Sequence, residues 1–516
     1  MRNAKNILLL TVLVLLSLKE TGAQDSIALK KIINNSSFTA VGLRSSRQVK
    51  DFYTYSGFRY SWLTDQGKEN VNVLSNFIEN STTLGLNKED YQPEVFKRYY
   101  SQSLSSQEDS LLTEIKLTDV AIHFIHDILM GNRPVSIAYN GLNYTPSCYN
   151  IPIILKDYIE NGQFKNLVAE LESSDLGYVA IKNKLNLFQQ AIISKNFTDV
   201  LVKSSKQIDN RTLIKRLYQL GFIDSDSVTF SESVLTEKIK QVQISFNLVA
   251  DGIVGKSTLH ALNIPLKHRT SELKSALNAI RWLACSKQSG HVMVANIPSA
   301  TLLLYDSKNI LLESKIIVGK PLTPTPTLCS KITEVVLYPY WNVPQNIATR
   351  ELLPLIKQNR SYLELNNYQV LNKNGKVVDP SSVNWSSLSS NYFPYVLRQS
   401  TGCDNSLGLI KFNFYNPFTV YLHDTPAKNL FNSNERYFSH GCMRLQKAVE
   451  LGHYVLKNNT IAIDTLTMKG CLKNQAPIAV AATEKIPVFV LYQTAWIDSV
   501  GVITFYKDIY EKFSSR

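Results

Sequence analysis

The chain has 516 residues, enough for several domains of about 100 to 200 residues each. It carries 55 lysines and arginines against 42 aspartates and glutamates, a formal net charge of +13, and its basic residues are scattered along the chain. No segment resembles a nucleic-acid-binding module, and the scattered basic residues argue against DNA or RNA as a substrate. The net positive charge favours attraction to anionic surfaces such as cell wall and lipid headgroups.

The first 23 residues have the pattern of a secretory signal peptide. Arg2 and Lys5 precede an apolar run at 7–18, and three small residues end in Ala23, which marks a cleavage site. The apolar run is too short to cross a bilayer comfortably, and an uncleaved inner-membrane anchor is the alternative. We therefore expect an exported protein.

Helical patterns fill the first half of the chain. Residues 26–203 alternate apolar stripes with polar breaks, and the clearest stripe runs over 111–129 and stops at Gly131. Residues 208–263 form a smaller unit of three short helices with an Asp251-Gly252 turn. The run Gly255-Lys256-Ser257 in this unit is not a phosphate-binding loop, because the preceding strand and glycine are missing.

Strand patterns dominate the second half. After a linking helix, apolar runs broken by turns predict a mostly antiparallel sheet with strands at 291–296, 301–305, 310–318 and 335–338, and later at 488–492 and 502–506. Helical and polar sequence interrupts this sheet at 345–397. A long insertion beside a cleft is commonly a lid, although a passive surface elaboration explains it almost equally well.

The chain contains six cysteines, and their number limits how they pair. They are Cys148, Cys285, Cys329, Cys403, Cys442 and Cys471. If Cys442 is a free thiol, five remain, so at least one more stays unpaired even in an oxidising compartment. The sequence alone therefore assigns no disulfide.

The stretch 420–445, VYLHDTPAKNLFNSNERYFSHGCMRL, contains the residues for thiol chemistry. A cysteine attacks a carbonyl only as the thiolate, so it needs a base or a positive field beside it. His423 ends an apolar run that predicts a buried strand, and adjacent strands could bring it to Cys442. A helical pattern after Cys442 predicts that the thiol lies just before a helix N-terminus, which would favour the thiolate. Gly441 would let backbone N–H groups approach an oxyanion.

Two other interpretations of this stretch stay open at this point. A single cysteine or histidine is usually an inert, buried residue. Alternatively, His423, Asp424, His440 and Cys442 are all residue types that bind zinc, although the His-x-Cys pair lacks the usual spacing between ligands.

The sequence nevertheless resembles the L,D-transpeptidase family. The resemblance is carried by Ser439-His440-Gly441-Cys442-Met443-Arg444, preceded by His423-Asp424-Thr425-Pro426. In that family the cysteine is the nucleophile, so the resemblance implies that Cys442 attacks the donor peptide. It further implies that His423, rather than His440, is the base, and that the backbone of Asp424 orients its imidazole.

The same resemblance gives roles to the residues around Cys442. His440 and Gly441 would line the oxyanion site with the cysteine, and Ser439 belongs to the same loop. Arg444 would either pair with a carboxylate of the peptide stem or hold the loop through hydrogen bonds to backbone carbonyls. We favour the second role, because an arginine beside a tight loop often bonds otherwise unpaired carbonyls.

The resemblance extends to most of the chain and implies a multidomain α+β fold. The expected parts are a helical scaffold domain at 26–203, a three-helix peptidoglycan-binding domain at 208–263 and a catalytic domain at 270–512. The catalytic domain would be a mostly antiparallel, β-sandwich-like fold, with a capping subdomain inserted at 345–397. Thr401 stands where the family has proline, which leaves the rigidity of that turn open.

The expected function is therefore peptidoglycan cross-linking in the periplasm by an acyl-enzyme thioester. The donor would be a tetrapeptide stem that loses D-alanine, the acceptor an amine of a neighbouring stem, and other cell-wall enzymes further partners. The resemblance implies no cofactor, and it implies inactivation by carbapenems. The alternatives are a carboxypeptidase that passes the same thioester to water, a non-catalytic wall-binding protein and a zinc peptidase.

Overall fold

The computed structural model describes residues 26–513, apart from 36–37, 39–41, 102–103, 105, 195–196, 204–208, 228, 289, 308, 458, 473–474 and 500. The predicted signal segment at 1–23 lies outside the described residues. None of the described helices combines the length and the apolar character that crossing a membrane requires.

Helices build the chain up to residue 288. They are α1 (26–33), α2 (Ser46–Tyr55), α3 (Asp65–Glu79), α4 (Pro93–Tyr100), α5 (Gln107–Met130), α6 (Ile151–Glu160), α7 (Leu167–Leu171), α8 (Leu176–Ile193), α9 (Asn210–Gln219), α10 (Glu232–Ser245), α11 (Lys256–Asn263) and α12 (Leu266–Gln288), with 3₁₀ turns at Ser81–Leu84, Lys88–Tyr91 and Phe164–Asn166. The predicted stripe at 111–129 lies in α5, which ends at Met130 and is capped by Gly131 with φ +89°. Its apolar side chains are buried in the core of the first helical region.

The unit made of α9, α10 and α11 is fused to the rest of the molecule. Its apolar side chains belong to the same hydrophobic cluster as those of α8, α12 and the nearest strands. The fully buried Arg216 holds the ends of the unit together, because its guanidinium donates to the carbonyls of Leu262 and Ile264 at 2.6 Å each, and it pairs with Asp199 of the preceding segment at 2.7 Å. Each of these groups would be costly to leave unpaired, so this unit is not a loosely tethered module.

The second half is built on strands. They are β2 (His291–Asn296), β3 (Thr301–Asp306), β4 (Asn309–Gly319), β5 (Leu328–Leu337), β10 (Ile410–Phe414), β11 (Leu422–His423), β12 (Tyr437–Ser439), β13 (Met443–Leu445), β14 (Ile478–Ala481), β15 (Pro487–Leu491), β16 (Ala495–Ile497) and β17 (Ile503–Phe505), with β1 (Tyr139–Asn140) contributed by the helical half. Most pairs are antiparallel, as predicted, and the pairs β1–β5, β2–β15, β4–β12 and β11–β13 are parallel.

The strands run in the order β5-β10-β11-β13-β4-β3-β2-β15, and β15 pairs with β5 again. The long strands β4 and β5 each pair with one set of neighbours near their start and with another near their end. Strands β4 and β5 therefore connect the two sets of strands, which enclose one buried core. Helices α16 (Ala448–Val455) and α17 (Thr460–Lys469) pack on this core. The mixed α+β architecture with a helical first half and a strand-rich second half is confirmed.

The segment between β5 and β10 folds on itself. It contains strands β6 (Trp341–Asn342), β7 (Tyr368–Leu371), β8 (Val377–Val378) and β9 (Val396–Gln399), helices α13 (Gln345–Ile347), α14 (Leu353–Gln358) and α15 (Tyr362–Leu365), a π-helical turn at Ala348–Leu352 and 3₁₀ turns at Pro380–Ser382 and Trp385–Ser387. These strands form a separate sheet in the order β6-β9-β7-β8. A hydrophobic cluster of its own, around Trp385 and Leu397, supports it.

Four of the six cysteines form disulfides that the sequence did not assign. The bonds are Cys148–Cys285 and Cys403–Cys471, with Cα–Cα separations of 5.4 Å and 5.2 Å. Cys329 and Cys442 are free. The prediction from cysteine parity, at least one unpaired cysteine besides Cys442, is confirmed, and the extra one is the buried Cys329.

Candidate active site

Two short parallel strands bring the predicted histidine and cysteine together. In the pairing of β11 with β13, Leu422 lies opposite Met443 and His423 opposite Arg444. Side chains alternate between the two faces of a sheet, and opposed residues share a face. Leu422 and Met443 are therefore both buried in the core, whereas His423, Arg444 and Cys442 share the other face.

Strand β10 adds a cation to this face. Lys411 pairs with His423 across the antiparallel β10–β11 ladder, so both side chains project to the same side. Its ammonium group lies 4.0 Å from the ring centre of Tyr421, which is two residues before His423 and hence also on this face. We call the five residues Lys411, Tyr421, His423, Cys442 and Arg444 the reactive face.

The prediction that Cys442 lies just before a helix is wrong. The residues after it form strand β13, and helix α16 begins only at Ala448. The field of a helix N-terminus falls off within its first turn, so it does not act on this thiol. Positive groups of the reactive face take its place, since Lys411 and Arg444 both lower the pKa of the thiol.

The thiol is neutral in the resting site. Burial raises the pKa of Cys442, and this effect outweighs the opposing effects of hydrogen bonds from the backbone and side chain of Tyr421 and of the charges on Lys411 and Arg444. Burial also lowers the pKa of Lys411. The site therefore holds a thiol that positive neighbours are placed to ionise, and not a standing thiolate.

His423 is held as a neutral base. Its Nδ1 donates to the carbonyl oxygen of Asp424 at 2.6 Å, which leaves Nε2 unprotonated and able to accept a proton. Burial, followed by the charge on Arg444, lowers the pKa of His423 to about 3. The Asp424 carboxylate is engaged elsewhere, since it pairs with Lys428 and accepts from the Leu409 N–H at 3.0 Å.

Hydroxyl groups hold the loop that carries Cys442. Ser439 Oγ donates to the Cys442 carbonyl at 2.6 Å and accepts from the Gly441 N–H at 3.2 Å. Thr325 Oγ1 donates to the Gly441 carbonyl at 2.8 Å and accepts from the Gly319 N–H at 2.8 Å. These bonds tie the loop to the turn that follows β4.

Gly441 is needed for its backbone conformation. Its φ of +114° is one that residues with a side chain rarely adopt. A Cβ atom there would come no closer than 3.6 Å to the nearest heavy atom, the Pro324 carbonyl oxygen, so space is not the constraint. The Gly441 N–H that the sequence suggested for an oxyanion already donates to Ser439.

His440 faces the inserted segment. Its Nε2 donates to Glu351 Oε1 at 2.6 Å, and Glu351 lies in the π-helical turn of the insertion. The two histidines of the motif therefore have different surroundings: His423 is buried in the sheet, and His440 joins the loop to the insertion.

The guanidinium of Arg444 forms no hydrogen bond or ion pair with a residue that the structure describes. The loop-holding hydrogen bonds that we favoured for it are therefore absent, and Ser439 and Thr325 supply them instead. Burial lowers the pKa of Arg444, and its charge acts on Cys442 and His423. It remains half-buried on the reactive face, and none of the described residues pairs with its charge.

The zinc interpretation requires at least three ligands that converge. Throughout the described part of the chain, no group of three or more His, Cys, Asp or Glu side chains is arranged to hold a metal ion. Asp424 and His440 point to Lys428 and Glu351, respectively, and not to Cys442.

Three residues of the site were missed by the sequence analysis. Tyr421 was detectable, because it precedes His423 by two residues on a predicted strand and must share its face. Lys411 and Thr325 were not, because their positions depend on which strands pair and in which register.

Comparisons with known proteins agree with this architecture. The family described as "L,D-transpeptidase catalytic domain" matches residues 290–463, "Scaffold domain" matches 47–185, and "Putative peptidoglycan binding domain" matches 209–262. A Haemophilus influenzae protein described as "Putative L,D-transpeptidase" is 30% identical over 426 residues, which cover 80% of this chain and 84% of that protein.

Solved structures are similar at lower identity. An L,D-transpeptidase from Mycobacterium smegmatis is 14% identical, and the match covers 39% of this chain and 58% of that one, with a TM-score of 0.18. An L,D-transpeptidase in complex with imipenem is also 14% identical, over 39% of this chain and 59% of that one, with the same TM-score. This chain thus spans less than two thirds of either protein.

Proposed function

Because this chain belongs to the L,D-transpeptidase family, a family of acyltransferases, we propose that it cross-links peptidoglycan through a thioester on Cys442. The observation that carries the proposal is the reactive face, where the buried neutral imidazole of His423 lies on β11 and Cys442 directly precedes the neighbouring strand β13. The donor is a tetrapeptide stem, and the acceptor is an amine of a second stem.

In the acylation step, Cys442 Sγ bonds to the carbonyl carbon that precedes the terminal D-alanine. The thiol proton passes to His423 Nε2, and the charges of Lys411 and Arg444 stabilise the developing thiolate. His423 then protonates the amine of the leaving D-alanine as the carbon–nitrogen bond breaks. The imidazole returns to its neutral form and the acyl group stays on sulfur.

In the second step the acceptor amine attacks the thioester. His423 takes a proton from the amine and returns a proton to the departing sulfur, so the enzyme ends as it began. The N–H of Cys442 is the oxyanion donor that we propose, because the N–H of Gly441 is engaged by Ser439. His440 acts from outside the reaction, through its contact with the insertion.

The other parts of the proposed enzyme bring the reactive face to its substrate. Residues 208–263 bind the wall polymer, and residues 345–397 cap the cleft beside Cys442. An N-terminal signal peptide directs the protein to the periplasm, where the wall is. Carbapenems inactivate the enzyme by acylating the same sulfur.

The products of a reaction with disaccharide-tetrapeptide test this function. Cross-linked dimers with release of one D-alanine per bond are expected, and chromatography with mass spectrometry detects them. Release of D-alanine with only the shortened monomer would identify a carboxypeptidase instead. An unchanged muropeptide would indicate a non-catalytic wall-binding protein.

A further inference from the structure

A cleft of about 620 Å³ lies where the helical half, α12 and the C-terminal segment meet. Its described lining contains four cationic side chains and no carboxylate: Arg133, Lys267, Lys274 and Lys512. None of the residues of the reactive face lines it. Hydroxyl- and amide-bearing side chains, among them Ser136, Ser271 and Asn87, occupy much of the rest.

None of these four cations has a negatively charged partner within ion-pair distance among the residues with described positions. Burial lowers the pKa of Lys274, and the charge of Arg133 lowers it further. Burial also lowers the pKa of Lys512, opposed by the charge of Asp508, and its ammonium group lies 4.9 Å from the ring centre of Tyr492. Four like charges in a cleft whose described lining holds no carboxylate are unfavourable for stability, which suggests that a ligand supplies the counter-charge.

The backbone that carries Arg133 is rigidly attached to α12. Asn278 Oδ1 accepts from the N–H groups of Asn132 and Arg133 at 2.8 Å and 3.1 Å, and its Nδ2 donates to the Arg133 carbonyl at 2.9 Å. A Cβ atom at Gly131 would lie 2.6 Å from Asn278 Oδ1, so only glycine permits this approach. The cleft is therefore preorganised on one side.

We propose that this cleft binds a ligand with two adjacent phosphate groups. A phosphate monoester carries a charge of about −1.5 to −2 at pH 7, so two such groups match four monovalent cations. Three of the four are lysines, which bind phosphate as point charges, and the arginine adds a planar, bidentate donor. The same chemistry is offered by a soluble diphosphate and by a phosphorylated lipid headgroup.

Titration calorimetry of the purified protein with inorganic pyrophosphate tests the site. Saturable binding is expected, and the double variant Lys274→Met with Lys512→Met should bind at least about tenfold more weakly. The conservative pair Lys274→Arg with Lys512→Arg should retain binding. As a control of equal charge, Lys165→Met with Lys376→Met changes two exposed lysines outside the cleft and should bind like the wild type.

The variants also report on folding and on the reactive face. Removing unpaired cations should not lower the melting temperature, and acylation of Cys442 should be unchanged, which separates this inference from the proposed function. Non-saturable binding, or an equal loss in the cleft and control variants, would overturn the proposal.

Vesicles distinguish the two sources. If the ligand is a lipid headgroup, phosphatidylcholine vesicles with diacylglycerol pyrophosphate, whose headgroup has two adjacent phosphates, should pellet the wild type and the control variant but not the cleft variant. Binding to pyrophosphate with no pelleting would assign a soluble diphosphate. Binding in neither assay would refute the site.

Discussion

Replacing Thr325 by valine should loosen the loop that carries Cys442. Threonine and valine have nearly the same shape, and Thr325 is 1% exposed, so the change removes a hydroxyl without making a cavity. Two buried backbone groups lose their partner, the N–H of Gly319 and the carbonyl of Gly441. An unsatisfied buried group costs about 1 to 3 kcal/mol, and partial relaxation of the loop leaves a total of roughly 2 to 4 kcal/mol.

Thermal melting and a single-turnover assay measure the two consequences of Thr325→Val. For a domain of this size, each kcal/mol shifts the melting temperature by about 2 to 4 °C, so a fall of roughly 5 to 15 °C is expected. The rate of carbapenem acylation should fall as well, because Gly441 and Cys442 lose their fixed geometry. Thr325→Ser keeps the hydroxyl and should stay close to the wild type on both measures. A valine variant with wild-type melting and acylation would refute the reasoning.

Three further predictions concern the reactive face and its link to the insertion. Iodoacetamide alkylation of Cys442 should accelerate with pH through the alkaline range, because burial raises the pKa of the thiol. The rate should show no inflection near pH 6.5, because burial lowers the pKa of His423 to about 3 and the imidazole is already neutral there. A clear inflection near pH 6.5 would show that the histidine is solvated. Lys411→Met should slow alkylation by anionic iodoacetate about 3- to 10-fold more than alkylation by neutral iodoacetamide, while Lys411→Arg should preserve the ratio of the two rates. Equal slowing of both reactions would show that the charge of Lys411 does not act at the sulfur. Glu351→Gln should keep the melting temperature within about 2 °C of the wild type, because the partly exposed pair of Glu351 with His440 contributes about 0 to 1 kcal/mol. The same variant should speed limited proteolysis of the insertion. Unchanged cleavage would show that this contact does not hold the insertion in place.

The sequence predicted the parts of this fold that depend on local periodicity. The apolar run that ends at His423 indicated a buried strand, and helix α5 followed from its apolar stripe. The run from Met443 to Leu445 was misjudged, because alternate apolar residues there also fit the start of the helical pattern that continues at Ala448. Such short runs are decided by their neighbours in the sheet, which the sequence does not reveal.

Contacts between distant segments were beyond local reasoning. The loop around Cys442 has carbonyls that need donors, and the nearby Arg444 was the obvious candidate. The donors are instead Ser439 and Thr325, and the latter is distant in sequence and reaches the loop only because β4 runs beside β13. Disulfide pairing has the same limit, since parity gives only the minimum number of unpaired cysteines and the fold selects the partners.

The most direct test of the central claim is the intact mass of the protein during turnover. Mixed with disaccharide-tetrapeptide and stopped in acid within one turnover, the wild type should gain the mass of the donor minus D-alanine, and peptide mapping should locate the adduct on Cys442. The variants Cys442→Ala and His423→Gln should show no adduct, the first because it lacks the sulfur and the second because it lacks the base. An adduct of equal yield on Cys442→Ala, or cross-linked product from that variant, would contradict the account.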